Sequence, residues 1–529
     1  MSCYQCKIIQ FMETWLVITI LCLLLSLILK FIRNLIFPKS HLPPGPPKLP
    51  IIGTFTLLNQ FFKDPKTLLQ DLHAKYGSIF TLQMGSNTDI YIANRFLAHQ
   101  ALIQNSTIFA DRPEAVPTKK IISSNQHDIL FSFYGPIWRL LRRNLTSRIL
   151  HPSQVKSYAQ ARKWVLDILL QRLKNVSHER NTEGIFVVDH FRYGMFSLLA
   201  LMCFGDKLDV NQIREIEESQ RIMLLNFSRY NVLNFWPPIT KILYRNRWKE
   251  FLKLRSDQEA VLNPYINARR KIKEERLRTD RENNLNESHG EFVLSYVDTL
   301  LDLELLEEDN KRSQLDDGKI CTLCSEFLNA GTDTTSTALE WIMANLVKYQ
   351  DIQEKLVQEI KGVIGDDKKE KEIREEDLKK MPYLKAVILE GLRRHPPLHY
   401  VAPHRVTEEV VLNGYSVPTF ASVNFLVAEI GRDFSAWDDP MAFKPERFIN
   451  NSTFDIMGSK EIKMMPFGAG RRMCPGYGLA LLHLEYFVAN FVLNFEWKVV
   501  DGNEIDLSEM LQFTTVMKNP LKVHLISRF

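Results

Sequence analysis

The chain has 529 residues, enough to bury a large core, and 45% of them are hydrophobic. Its 67 basic and 62 acidic residues leave a formal charge of +5, too balanced for a nucleic-acid partner. Seven cysteines, at positions 3, 6, 22, 203, 321, 324 and 474, form no disulfide framework and fit a reducing compartment.

From the N-terminus, Thr14 to Leu29 is uncharged and strongly apolar. At about 1.5 Å per residue this run is slightly short for a bilayer core of about 30 Å. Lys30 can snorkel, and Phe31, Ile32, Leu35, Ile36 and Phe37 extend the apolar face. A cleaved signal peptide is the competing reading, but the run leads into no small-residue cleavage site. It leads instead into Lys30, Arg33 and Lys39, a basic flank that stays in the cytosol. The expected order is a short extension over 1–13, a single transmembrane anchor over 14–37 and a basic, Pro-rich hinge over 38–50. Pro43-Pro44-Gly45-Pro46-Pro47 makes that hinge a stiff extended spacer. Residues 51–529 then form one domain, because no repeat is present and the motifs of one presumed site run from 138 to 476.

Within that domain Ile79–Met84 and Asp89–Ala93 read as a hairpin, and Val410–Pro418 as another about Asn413-Gly414. Helical periodicity covers Ser157–Leu173, Gln212–Phe227, Arg247–Leu277, Lys319–Tyr349 and Asp351–Val363. The polar stretch Arg278–Glu291 reads as a surface loop, and the charge run Lys368–Lys380 as a solvated helix face. Cys321-Thr-Leu-Cys324 lacks a second pair to complete a zinc site, so both cysteines read as small buried helix residues. The pattern is mainly α with small β-sheets.

The chemistry concentrates in Phe467-Gly-Ala-Gly-Arg-Arg-Met-Cys-Pro-Gly476. A thiolate at Cys474 on this Gly-rich loop can serve as an axial ligand to haem iron, with backbone N–H groups stabilising its charge. Arg472 is spaced to pair with a haem propionate. In Ala330-Gly-Thr-Asp-Thr-Thr335 the small residues remove bulk beside a flat cofactor, and Asp333 and Thr334 offer an acid–hydroxyl pair for delivering protons to oxygen. The same threonines could simply bond to carbonyls four residues back and bend the helix. Glu390 and Arg393 are neighbours on one helix face, as are Trp138 and Arg142.

These segments resemble the cytochrome P450 superfamily. The cysteine loop fills every fixed position of Phe-x-x-Gly-x-Arg-x-Cys-x-Gly, including Phe467, Arg472, Cys474 and Gly476. Ala330–Thr335, Glu390–Arg393, Pro445-Glu-Arg447-Phe448 and Trp138–Arg142 follow the family's order. The closest likeness is to plant microsomal members of the A-type group. The resemblance implies the cytochrome P450 fold, haem b bound by Cys474, and a monooxygenase acting on a hydrophobic or aromatic small molecule. It implies propionate contacts from Trp138 and Arg142, one more from either His404 or Arg405, and a structural cluster of Glu390, Arg393 and Arg447. Electrons would come from NADPH–cytochrome P450 reductase, for which Arg139, Arg143, Lys463 and Arg471 would offer a basic face. The catalytic domain would lie on the cytosolic face of the endoplasmic reticulum. An isomerase or dehydratase needing no external electrons, and a haem protein that only binds ligands, are the alternatives; the Asp333–Thr334 pair favours oxygen activation. By family position the substrate walls would include Phe131, Phe133, Tyr134, Phe327, Leu398, Val401, Phe513 and Val516.

Overall fold

The computed structural model describes residues 41–47, 63–84, 87–179, 184–282, 293–306, 312–365, 372–449, 454–500 and 504–529, with residues 60, 61 and 502 and short pieces between 15 and 29. The described chain falls into two units, Met1–Ile92 with Val406–Val423, and Ala93–Arg405 with Asn424–Phe529.

In the first unit a helix over Pro65–Tyr76 is capped by Asp64, whose carboxyl accepts from the Thr67 N–H at 3.1 Å. An antiparallel hairpin pairs Ile79–Met84 with Asn87–Ile92 in the register Ile79↔Ile92. A second pairs Val410–Leu412 with Tyr415–Val417 across Asn413 and Gly414, both at positive φ, as the primed turns require. The Pro-rich spacer is fastened to this unit: Thr81 N–H donates to Pro44 O at 2.8 Å and Ser416 N–H to His41 O at 2.8 Å. Of the expected anchor, Trp15–Thr19 and residues 21, 22, 25, 26 and 29 are helical and exposed, and the rest of 14–37 lies outside the described residues. Among the described residues no helix is long and apolar enough to cross a membrane.

The second unit is mostly helical. Its functional residues lie on or beside α1 (Pro136–Asn144), α2 (Val188–Phe204), α3 (Asp317–Lys348), α4 (Pro382–Arg394) and α5 (Tyr477–Asn494). Every residue of α2 from Gly194 onward is buried; a helix apolar on all sides belongs in the interior. Asp316 caps α3 by accepting from the Lys319 N–H at 2.8 Å. The two helices meet where a Cβ at Gly331 would lie 2.7 Å from Leu199 Cδ1, so a side chain there would have to push Leu199 aside. Phe191 of α2 stacks on Phe491 of α5 at 5.1 Å, and Trp497 is fully buried beside them. At the far end of α3, Trp341 stacks on His395 at 4.0 Å and donates to Thr515 O at 2.8 Å. It thereby holds the hairpin Glu509–Leu511/Thr515–Met517 against the core. A three-stranded sheet places Lys522–Ser527 between Phe495–Val499 and Ile185–Phe186.

The periodic helices are observed at Ala159–Glu179, Val210–Asn226, Arg245–Glu282, Asp317–Lys348 and Gln350–Ile364. The third continues past Pro264 through Glu282, so the expected loop starts later; residues 283–291 lie outside the described residues. The charge run is not a helix face where it is described. Residues 372–380 form turns and one 3₁₀ turn, Leu378–Lys380. Ile373 and Leu378 are buried there, Ile373 N–H donates to Asn490 Oδ1 at 2.8 Å, and Glu375 is held by Arg162 at 2.6 Å. These cross-chain bonds outweigh the helical tendency of the charged residues. Cys321 and Cys324 are both buried on α3, and burial pushes the Cys321 thiol up to about 12.

Candidate haem-thiolate site

Cys474 lies just ahead of α5, where the helix dipole favours negative charge. Its own N–H donates to Phe467 O at 2.8 Å, closing the loop. Burial raises the thiol, while the Gly476 N–H and the Arg142 guanidinium pull it back towards the thiolate. Within the loop Gly470 sits at φ 70°, and a Cβ there would stand 2.0 Å from Leu102 O. Gly470→Ala must therefore displace the Leu102 backbone as well as strain its own. The expected outcome is holoprotein yield reduced by about tenfold or more, read as haem absorbance per mole of purified chain.

Three guanidiniums converge beside this loop. Arg112 Nε donates to Leu130 O at 2.8 Å, and its Nη1 to Ala402 O and Pro403 O at 2.7 and 2.8 Å. Arg472 Nε and Nη2 each donate at 2.7 Å, to Ala110 O and Ser132 O. Arg142 Nη2 donates to Met473 O at 2.5 Å. Burial lowers Arg112 to about 9, with Arg472 adding to the shift, and lowers Arg472 to about 10. Among the described residues none of the three forms a salt bridge. Buried positive charge of this kind calls for an anionic partner, and the two carboxylates of a haem fit it. Trp138 contributes a ring rather than a free donor: Nε1 is taken by Ile129 O at 3.1 Å, and the Arg472 guanidinium lies over the indole at 4.3 Å. His404 is the buried member of its pair, with Nδ1 2.6 Å from Phe109 O, and burial and Arg112 keep it neutral. Arg405 instead carries the backbone bridge to Asp111.

On α3 the expected acid and hydroxyl take separate partners. Thr334 Oγ1 donates to Ala330 O at 2.7 Å, the back-bond open from the sequence. Asp333 Oδ1 lies 3.5 Å from Arg192 Nε on α2. Burial raises this carboxyl, and Arg192 and Arg221 oppose the shift. The small residues divide their work, since Ala330 is exposed whereas Gly331 faces Leu199.

Glu390, Arg393 and Arg447 form one buried knot. Arg393 grips Glu390 through Nε–Oε2 at 2.7 Å and Nη2–Oε1 at 2.8 Å. Arg447 Nε reaches Glu390 Oε1 at 3.2 Å, and the Lys444 N–H reaches it at 2.8 Å. The remaining donors of Arg393 go to Gly431 O, Pro440 O and Ala442 O.

Some expectations change. Tyr134, expected in the substrate wall, has partners of its own: its hydroxyl accepts from Arg471 Nη1 at 2.9 Å and its ring carries Arg139 at 4.9 Å. Phe327 packs on Tyr296 at 5.1 Å. Lys463 pairs with Glu461 at 3.1 Å, which reduces the free charge of the basic face. Two charged site residues escape the sequence patterns. Arg112 lies in Phe109-Ala-Asp-Arg-Pro113, a segment that resembles the family, but the sequence gives it no role. Glu326 interrupts the apolar start of α3; burial and then Asp128 push its carboxyl up to about 8. Among the described residues no group of three or more His, Cys, Asp or Glu is set to hold a metal ion.

A buried thiol just before a helix, with guanidiniums beside it that form no salt bridge among the described residues and an acid and a hydroxyl on the central helix, fits a haem-thiolate oxygenase. The sequence matches the cytochrome P450 family over residues 43–526, and the chain belongs to that family. It is 52% identical to "Cytochrome P450 89A9" of Arabidopsis thaliana, across 94% of this chain and 96% of that one. It is 31% identical to "Tabersonine/lochnericine 19-hydroxylase" of Catharanthus roseus, across 91% and 92%. A zebra fish cytochrome P450 structure with abiraterone superposes with a TM-score of 0.68 at 22% identity, covering 88% of this chain and all of that one; at that identity the likeness speaks for the fold. The protein is a cytochrome P450 monooxygenase, and its cofactor is haem b held by a cysteine thiolate.

Proposed function

We propose that Cys474 is the cysteine that binds the iron, with Arg142, Arg472 and Arg112 holding the propionates and neutral His404 completing that cluster. The observation that carries this is the burial of the Cys474 thiol, facing Arg142 and the Gly476 N–H, beside guanidiniums that form no salt bridge among the described residues. When bound, the haem supplies oxygen activation, so that one atom of O₂ enters the substrate and the other leaves as water. Cys474 donates electron density from its sulfur. Phe467 contributes its carbonyl to the loop and Gly476 its N–H to the sulfur. Thr334, with its proton directed to Ala330 O, presents lone pairs to a proton-bearing water. Asp333 holds a proton more readily than a surface aspartate, and the contact with Arg192 favours its release.

Electrons are drawn from NADPH through NADPH–cytochrome P450 reductase. The chain has no dinucleotide loop of its own, and Arg139, Arg143 and Arg471 are exposed. The apolar run over 14–37 supports a single-pass anchor in the endoplasmic reticulum with the catalytic domain in the cytosol. The substrate is a hydrophobic small molecule. Phe133, Leu398 and Phe513 offer exposed apolar faces, and relatives named as hydroxylases of germacrene A acid and of tabersonine/lochnericine act on molecules of that size. The reading is tested by reconstituting the full chain with reductase and comparing wild type with Thr334→Ala. NADPH consumption is expected to persist in the variant, while product per NADPH falls by about tenfold or more. Unchanged coupling would remove Thr334 from the proton path.

A further inference from the structure

Glu326 lies on α3 eight residues before Thr334, among buried Leu323, Cys324, Phe327 and Leu328. Both its oxygens are occupied by backbone of one turn: Oε2 accepts from the Ile129 N–H at 2.9 Å and Oε1 from the Leu130 N–H at 2.7 Å. Asp128 Oδ1 closes the same turn by accepting from the Phe131 and Ser132 N–H groups at 2.8 and 3.1 Å. The carbonyls of this turn go the other way. Leu130 O accepts from Arg112, Ser132 O from Arg472, and Ile129 O from Trp138. Residues 128–132 are thus strung between a carboxyl group on the central helix and the guanidiniums assigned above to the haem carboxylates. Leu130 and Phe133 keep 40% and 44% exposure at this turn, and Phe131 lies under Lys119 at 4.3 Å.

We propose that Glu326 is a positioning residue for the oxidation. It fastens the 128–132 turn to α3, so that the turn's apolar side chains form a fixed wall that selects ligands by size. The proposal deepens the haem-site reading and rests on it. Two features favour fastening over simple packing. A carboxyl group whose two oxygens receive two adjacent N–H groups fixes the orientation of both peptides. A wall held in place before the ligand arrives costs a bulky ligand no ordering, whereas a small ligand gains little from it.

The test uses the full-length holoprotein as wild type, Glu326→Gln and Glu326→Ala. Two probes are compared, imidazole and 4-phenylimidazole, each followed by the haem spectrum on titration. Hydrogen exchange is followed on a peptide covering residues 129–132. In Glu326→Ala we expect exchange of the two freed amides to rise at least about tenfold and the 4-phenylimidazole Kd to rise by a similar factor, with imidazole within about twofold. Glu326→Gln keeps one acceptor oxygen and should fall between the two. Unchanged exchange, or equal weakening of both probes, overturns the proposal. If Glu326→Ala does not fold, Glu326→Gln alone decides, by faster or unchanged exchange at these amides. A wild-type protein without the thiolate spectrum refutes the haem assignment instead, and the exchange result separates that failure from this one.

Discussion

Replacing Cys474 by alanine is expected to abolish the absorbance at about 450 nm of the reduced, carbon monoxide-bound protein and to bring product formation to background. Three of the other described cysteines cannot substitute. Cys203, Cys321 and Cys324 are buried in the helical core, where burial drives the Cys324 thiol well above its ordinary range. The Cys474 environment differs because a guanidinium and a backbone N–H face the sulfur. Cys474→Ser separates ligation from folding, since it is close in size. A folded serine variant without the band supports the assignment, and a retained thiolate band in either variant refutes it.

Arg393→Met is expected to remove the folded protein rather than only its activity. Glu390 and Arg393 have no exposed side-chain surface, so the substitution strands a carboxylate with one remaining cation, Arg447, and orphans the carbonyls of Gly431 and Pro440. Breaking a buried pair in this way costs about 3–5 kcal/mol, against a typical net stability of about 5–15 kcal/mol. Thermal unfolding followed by haem absorbance should show a large drop in midpoint, or no holoprotein at all. Lys355→Ala, which removes a half-exposed partner of Glu446, should leave the midpoint nearly unchanged. A small shift for Arg393→Met would mean that the cluster contributes little to folding.

Local patterns made much of the site readable. Cys474, Phe467, Arg472 and Gly476 lie on one ten-residue loop, and Asp333 with Thr334 on one helical turn, so spacing alone brings each set together. Glu390 and Arg393 are likewise one turn apart. The features hidden from the sequence depend on convergence between distant segments. Arg112 joins the cluster only because residues 130, 402–403 and 472 fold around it. Glu326 looks like an interruption of an apolar stretch until residues 129 and 130 arrive to use both its oxygens. Tyr134 reads from its position as a substrate-facing ring, and only the fold shows Arg471 and Arg139 claiming it. Helix α2 carries no motif, and its part in the site, through Leu199 and Arg192, arises from packing. The charge run misleads for the same reason, because its bonds to Arg162 and Asn490 are long-range.

The contact between Gly331 and Leu199 has a consequence for how the central helix is placed. Ala330 is exposed on α3, but the spacing of α3 from α2 is fixed by the residue behind it, where Leu199 fills the space a side chain would need. A larger residue at 199 or a side chain at 331 would have to be taken up by a shift of the Leu199 side chain or of α3, the helix that also carries Ala330 and Thr334. Position 331 therefore couples the packing of α2 to the helix that carries Ala330 and Thr334.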